Sequence, residues 1–103
     1  MENQKRAMLQ VILLADIRKN VKNKQKYDVI FHLEDGASTA NPIYWLEIID
    51  NHGVHKQLIN RLAGGEKGYV TKAVKGIGPL FKLLQDISPH ATSVHLPVPP
   101  QNQ

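Results

Sequence analysis

An alternation of apolar and polar residues characterises the segment 27–34, which reads YDVIFHLE and departs from the pattern only at Ile30. This period of two is typical of a β-strand that buries one face. Residues 43–50 are rich in aromatic and β-branched side chains and are apolar on both faces except at Glu47, which predicts a central strand. The sequence DNHG at 50–53 suits a type I hairpin turn with its glycine in a left-handed conformation. We therefore expect the chain to be organised around an antiparallel sheet.

Four further segments have less regular patterns. Residues 7–17 are apolar on nearly every face, so they form a buried element for which helix and strand both stay open. Residues 18–26 are basic and polar and are expected to form an exposed loop or hairpin tip. For 54–62 a strand that pairs with 43–50 is favoured over a helix, and 69–74 is expected to be a short strand.

The C-terminal part of the chain carries one clear helix pattern. Pro79 suits the first position of a helix, where its missing N–H costs nothing. Apolar residues then recur on one stripe, three and four positions apart, from Leu80 to Ile87. The predicted helix covers residues 79–87 and packs on one face of the sheet, and residues 91–96 are expected to add an edge strand.

Length and composition indicate a small single domain. A chain of 103 residues suffices for one core. The predicted fold is a single α+β domain over residues 1–96, mainly antiparallel, with about four to five strands and one helix, followed by a flexible Pro-rich tail over 97–103. The absence of cysteine excludes disulfides, thiolate metal sites and a cysteine nucleophile, and it fits a cytoplasmic protein. The longest apolar stretch, 7–15, is far shorter than the roughly 20 residues of a membrane span, so no membrane partner is expected.

Charge is distributed in three blocks along the chain, whose net charge is +4. Residues 1–26 carry a net charge of +5, residues 27–55 carry five acids and no Lys or Arg, and residues 56–103 carry a net charge of +4. Such blocks can place positive surface at two ends of the chain around an acidic middle. Two interpretations stay open: a continuous cationic surface for a polyanion, or strands that use acidic residues on their solvent face.

The strongest local motif is Gly76-Ile77-Gly78-Pro79 at the predicted start of the helix. Backbone N–H groups point outward at such a turn, and the positive end of the helix dipole lies behind them. Glycine also lets a phosphate approach the backbone closely. Lys75 and Lys82 flank the motif, which predicts a phosphate clasp.

These residues resemble the turn of the helix-hairpin-helix family of DNA-binding motifs, in which a Gly-hydrophobic-Gly turn joins two short helices and Pro often follows. The resemblance covers about twenty residues, 68–87. It implies that the amides of Gly76 to Gly78 bind a DNA phosphate without reading the base sequence. The chain departs from the family pattern at Lys82, where a small residue is favoured, and at 69–74, which consists of weak helix formers.

Aromatic side chains beside cations can stack with bases. Tyr27 and Tyr69 follow lysines and are the expected stacking residues, whereas Phe31, Trp45 and Phe81 are expected in the core. The predicted function is therefore non-catalytic binding of nucleic acid, DNA rather than RNA, by basic loops and the helix start. The candidate binding residues are Arg18, Lys19, Lys22, Lys24, Lys26, Tyr27, Lys67, Tyr69, Lys72, Lys75, Gly76, Ile77, Gly78 and Lys82.

Two other functions follow from particular segments. A protein–protein module, such as a regulator, inhibitor or subunit, is the main alternative, because 7–17 and 43–49 are apolar on both faces. An open sheet edge can pair with a partner or with a second copy to give a homodimer. A metal-dependent nuclease is least favoured, because the acids that could form its site, Glu34, Asp35, Glu47 and Asp50, are not expected to converge. A metal site at Asp50, His52 and His55 is also not expected, because these side chains would diverge in a turn. The chain has no Walker A motif and no Gly-x-Ser-x-Gly elbow, and no catalytic residue, metal or cofactor is assigned.

Overall fold

The computed structural model describes residues 6–65, 68–91 and 93–98, which form a small α+β domain. Residues 6–8 form a helical turn. The elements that follow are β1 (Gln10–Leu13), α1 (Leu14–Lys22), β2 (Asp28–Leu33), β3 (Ile43–Ile49), β4 (His55–Leu62), β5 (Tyr69–Thr71), β6 (Val74–Lys75) and α2 (Ile77–Ile87). None of the described helices is long and apolar enough to cross a membrane.

The six strands form one mixed sheet whose main order is β1-β4-β3-β2. β1 runs parallel to β4, and the other pairs are antiparallel. β4 pairs with β3 only at its start, from His55 to Gln57, and further along it pairs with β5. β6 pairs with the start of β3 at Ile43 and Tyr44. Because β1 and β2 occupy the other edges of β4 and β3, the β5–β6 segment is wedged between these two strands where they diverge.

Alternation along β3 gives the sheet two faces of different character. Tyr44, Leu46 and Ile48 point to the face that α1 and α2 cover, and they join the hydrophobic core. Trp45 and Glu47 point to the opposite face and are also buried. Removing a Leu or Ile side chain from water contributes about 1.5–3 kcal/mol, so β3 anchors the fold mainly through its helix-side residues.

Several local predictions are confirmed. The strands predicted at 27–34, 43–50 and 54–62 are present as β2, β3 and β4, the last as a strand rather than a helix. Gly53 has a φ of 77°, and its N–H donates to the Asp50 carbonyl at 3.0 Å, as expected of the hairpin turn. These features depend on neighbouring residues alone, which is why a local pattern suffices to predict them.

The described residues form six strands and two helices, where four to five mainly antiparallel strands and one helix were predicted. Four of the five strand pairs are antiparallel, and one is parallel. The apolar run 7–17 is divided between the first helical turn, β1 and the start of α1, which adds a parallel strand pair and a second helix. Residues 18–22 are helical and not part of a loop. Their helix is stabilised because Leu14, Ile17 and Val21 recur on one stripe that packs against the core.

The C-terminal predictions also change. α2 begins at Ile77, so Pro79 is the third helical residue and not the first. Of the predicted edge strand 91–96, the described residues 91 and 93–96 form no strand. Val94 and Leu96 instead pack, partly buried, against the core. Most of the predicted tail, residues 99–103, lies outside the described residues.

Helix α1 ends at a left-handed residue that is not glycine. Lys24 has a φ of 70°. Its N–H donates to the Val21 carbonyl, and the N–H of Gln25 donates to the Asn20 carbonyl, both at 3.0 Å. This double closure is the Schellman motif, in which glycine is favoured at the left-handed position. The β-carbon of Lys24 therefore adds a conformational cost that glycine would not have.

Lys24→Gly is expected to raise the free energy of unfolding by about 1 kcal/mol, because glycine adopts a positive φ without steric cost. Urea denaturation followed by circular dichroism measures the change. Lys26→Gly is the matched control, since it removes the same charge from a residue whose φ is negative. An equal gain in both variants would attribute the effect to the lost positive charge and not to backbone geometry.

Candidate functional site

An open groove of about 480 Å³ lies between α1, α2 and the link that joins β5 to β6. Arg18 from α1, Lys72 from the link and Lys82 from α2 line this groove, together with the carboxylate of Asp86. We call these four residues the basic groove. Three cations against one carboxylate leave it with a net positive charge, and its floor is apolar because Leu14, a core residue, also lines it.

An ion pair joins the two helices along one side of the basic groove. Arg18 donates from Nε and Nη2 to Asp86 Oδ2 at 3.3 and 3.1 Å, and both side chains are about half exposed. An exposed pair of this kind contributes only about 0–1 kcal/mol. Lys72 and Lys82 form no ion pair with the described residues. Their charges therefore stay available to an anion in the groove.

The predicted phosphate clasp is only partly present. The N–H of Gly76 donates to the Pro42 carbonyl at 2.9 Å, so the prediction that this amide binds a phosphate is wrong. Ile77 and Gly78 form the first turn of α2, which has no side-chain cap, and Pro79, beside them, lines the basic groove. Of the three backbone amides predicted to bind a phosphate, the two of Ile77 and Gly78 lie at the positive end of α2.

The resemblance to the helix-hairpin-helix motif is not borne out by the backbone. Residues 69–74, which would form the first helix, contain β5 and the start of β6. They are extended because the β5–β6 segment completes the hydrogen-bonding edges of β4 and β3. Only the second helix of that motif, α2, is present.

The predicted stacking residues are placed differently from expectation. Tyr27 is 2% exposed, and its hydroxyl accepts from Asn20 Nδ2 at 2.8 Å, so the prediction of an exposed stacking platform at Tyr27 is wrong. It is buried because it precedes β2 on the strand's core-facing side. Tyr69 is half-buried and lies on the sheet face opposite the helices, beside Gln57. Phe31 and Trp45 are buried as predicted, whereas Phe81 is 43% exposed.

The remaining predicted lysines among the described residues do not line the basic groove. Lys67 lies outside the described residues. The others are exposed on α1, in the loop after α1 and on β6. They are Lys19, Lys22, Lys24, Lys26 and Lys75.

A second polar arrangement, which the sequence did not predict, lies on the opposite face of the sheet. Glu47 is fully buried there in the middle of the sheet. Its Oε1 lies 2.9 Å from His32 Nε2, and its Oε2 is hydrogen-bonded to His55 Nδ1. Each imidazole can donate one N–H to the carboxylate, so both oxygens are satisfied without a cation. The surrounding residues complete what we call the sheet-face cluster: Arg6, His32, Glu34, Trp45, Glu47, His55 and Gln57.

Within the sheet-face cluster, Arg6 contacts Trp45, Glu34 and Gln57. Its guanidinium carbon lies 4.5 Å from the ring centroid of Trp45. The guanidinium forms a two-pronged ion pair with Glu34, of which the Nη2–Oε2 distance is 3.1 Å. The hydrogen-bond pattern orients the Gln57 amide so that its oxygen accepts from Arg6 Nε at 2.9 Å and from Nη2 at 3.2 Å. Stacking, paired carboxylate bonds and an amide acceptor thus all hold one planar group.

The histidine and aspartate of the hairpin turn do not form a metal site. Asp50 Oδ1 accepts from the N–H groups of His52 and Val54, each at 2.9 Å, while His55 turns to Glu47. The Val54 N–H bond, with smaller contributions from His52 and Lys56, lowers the pKa of the Asp50 carboxyl against the opposing effect of burial. No group of three potential ligands among the described residues could hold a metal ion.

Comparison of the chain with protein-family models, curated protein sequences and solved structures found no match. The molecule nevertheless presents two arrangements of opposite character. The basic groove lies among the helices, and the sheet-face cluster, built mainly on the acidic middle block of the chain, lies on the opposite face.

Proposed function

We propose that the protein binds nucleic acid without catalysis, with the phosphates held in the basic groove. The observation that carries the proposal is the meeting of Arg18, Lys72 and Lys82, which come from three separate elements, around one open groove. Residues so far apart in sequence converge only because α1 and α2 pack together on the same face of the sheet. The groove presents cations at a surface with a single carboxylate nearby.

The start of α2 strengthens the attraction of the groove for phosphate. The amides of Ile77 and Gly78 belong to the first turn, where backbone N–H groups have no acceptor within the helix. A helix N-terminus carries a partial positive charge that favours an anion within about one turn. Cations and amides of this kind contact the phosphate backbone and not the base edges, so the proposed binding is independent of base sequence.

The salt dependence of binding tests this mechanism. Because Arg18 is already paired with Asp86, Lys72 and Lys82 are the cations expected to neutralise phosphates. Two neutralised phosphates on double-stranded DNA give a slope of log affinity against log salt of about −1.8. Affinity for a labelled 20-base-pair duplex is therefore expected to fall about 12-fold between 50 and 200 mM salt, and affinity for a single strand about 7-fold. Fluorescence anisotropy at both salt concentrations measures the change. Absence of binding at 50 mM salt, or binding that does not vary with salt, would contradict the proposal.

Two lysine variants separate the groove from general surface charge. Lys82→Ala is expected to weaken binding at every base sequence and to reduce the magnitude of the salt slope by about 1. Lys24→Ala makes the same charge change outside the groove and is expected to leave the slope nearly unchanged. Equal effects of both substitutions would mean that net charge, and not the basic groove, attracts the polyanion.

A further inference from the structure

Three residues of the sheet-face cluster surround the guanidinium group of Arg6, and we call them the receptor residues. Trp45 offers a flat ring face, Glu34 offers two carboxylate oxygens, and Gln57 offers an amide oxygen. Guanidinium is planar, stacks on aromatic rings and donates in parallel pairs to carboxylates. A lysine ammonium is a compact point charge that has neither the flat face for stacking nor the paired donors. These three residues are therefore expected to bind an arginine side chain more tightly than a lysine side chain.

The sheet positions these receptor residues without help from the N-terminal segment. Trp45 is buried and stacks on His32, with ring centroids 4.1 Å apart and planes 13° apart. His32 is in turn hydrogen-bonded to the buried Glu47. The N–H of Glu34 donates to the Ile43 carbonyl at 2.8 Å, which extends the pairing of β2 with β3. These contacts hold the Trp45 ring and the Glu34 backbone independently of Arg6.

The segment that carries Arg6 has the properties of a removable occupant. Residues 6–8 form a single helical turn, in which Ala7 is exposed and Met8 is 85% exposed. Within the described part of this turn, the Arg6 side chain makes the hydrogen bonds to the sheet. Because the segment is tethered to β1, Arg6 acts at an effective concentration of about the millimolar range. A competitor therefore has to add contacts beyond its own guanidinium.

The charge around the site selects the kind of competitor. Residues 27–55 supply β2, β3 and the loop between them, and they contain no Lys or Arg. Of their five acids, Glu47 is buried and Asp50 pairs with Lys56. Asp28 and Asp35 are exposed at the two ends of β2, so with Glu34 they leave this part of the surface acidic. A basic segment is attracted to such a surface, and an acidic one is repelled. We propose that the sheet face is a binding site for an arginine of a basic partner peptide, and that Arg6 fills this site in cis until the peptide displaces it. The site is separate from the basic groove and does not depend on the proposed binding of nucleic acid.

Removal of the internal occupant tests the site directly. Arg6→Ala is titrated with N-acetyl-arginine amide and with N-acetyl-lysine amide, and the emission of Trp45, the sole tryptophan, is recorded. Binding of the arginine compound is expected to be at least tenfold tighter than that of the lysine compound, and at least tenfold tighter in Arg6→Ala than in the unaltered protein. Equal responses to the two compounds, or equal responses of the two proteins, would overturn the proposal.

Matched variants and a second occupant-free protein complete the experiment. Glu34→Gln added to Arg6→Ala is expected to abolish the preference for arginine. Asp28→Asn added to Arg6→Ala removes an exposed carboxylate at the opposite end of β2 and is expected to leave the preference intact. If Arg6→Ala does not fold, Arg6→Lys serves instead, because lysine keeps the charge but lacks the two-pronged geometry. Loss of the preference in the Asp28→Asn protein as well would indicate attraction by charge alone and would contradict the assigned site.

A peptide titration of the unaltered protein tests displacement. The probe is acetyl-Gly-Lys-Gly-Arg-Gly-Lys-Gly amide, and its control carries lysine in place of arginine. The arginine peptide is expected to change the Trp45 emission at a concentration at least tenfold below that required by N-acetyl-arginine amide, because the flanking lysines add contacts with the acidic surface. If the peptide binds no more tightly than the single amino acid, the partner peptide is refuted and a small guanidinium compound is the ligand.

Discussion

Glu47→Ala is expected to lower the free energy of unfolding by about 3 kcal/mol, the range seen when one member of a buried polar pair is removed. Glu47 is fully buried and binds His32 and His55 through its two oxygens. Alanine leaves His32 Nε2 without this acceptor and opens a cavity in the middle of the sheet. His55 is about half exposed and can turn to water, so most of the loss arises on the His32 side.

Two further substitutions identify the source of that loss. Glu47→Gln keeps the volume and one acceptor oxygen, so its expected cost is about 1 kcal/mol. Glu34→Ala removes a carboxylate that is partly exposed and paired with Arg6, and its expected cost is also about 1 kcal/mol. Urea denaturation at neutral pH measures all three variants. A Glu47→Ala protein as stable as the Glu34→Ala protein would show that the buried carboxylate does not support the sheet.

The elements that could be predicted are those whose pattern depends on near neighbours. β2 and β3 follow from their own periodicity and composition, and the hairpin turn follows from Asp50 and Gly53. The run 7–17 resisted prediction because an element that is apolar on nearly every face has no periodicity to measure. Its division into β1 and α1 depends on the parallel pairing of β1 with β4, a contact with residues more than forty positions away.

The sheet-face cluster depends on strand register, which local patterns do not determine. Alternation alone places Glu34 and His32 on one face of β2, and the sequence already showed this. It does not show that His32 lies opposite Trp45, or that Glu47 lies opposite Gln57, since a slip of one residue would reverse the faces. Arg6 reaches Glu34 across 28 positions of sequence. The sequence signal for the cluster was limited to a polar residue inside an otherwise apolar strand, such as Glu47 in β3.

The sequence predicted the positive charge of the basic groove but not which residues line it. The sequence blocks predicted cationic stretches at both ends of the chain, and Arg18, Lys72 and Lys82 come from those two stretches. Which lysines share a surface depends on how α1 packs against α2, and that packing follows from apolar residues such as Ile17 and Leu83. The packing of the core therefore determines where these charged residues lie, although they are not part of the core.

The two glycines of the Gly76-Ile77-Gly78 motif are expected to differ sharply when each is replaced by alanine. Gly76 has φ of 91° and ψ of 163°, a region that essentially only glycine occupies. Gly76→Ala is therefore expected to cost about 2 kcal/mol of unfolding free energy, although its β-carbon would meet only Pro79 at an ordinary 3.8 Å. The strain arises in the backbone, whose N–H is also bonded to Pro42.

Gly78→Ala is expected to raise the free energy of unfolding by up to about 0.5 kcal/mol while weakening the binding of nucleic acid about fivefold. Gly78 lies inside α2 with no positive φ, and its added β-carbon would meet nothing within 4 Å. That methyl group points toward the N-terminus of the helix, where the proposed phosphate approaches the amides. Urea denaturation and fluorescence anisotropy on the same samples measure both effects. Unchanged affinity in the stabilised Gly78→Ala protein would exclude the start of α2 from the phosphate site and leave the lysines of the basic groove as its only ligands.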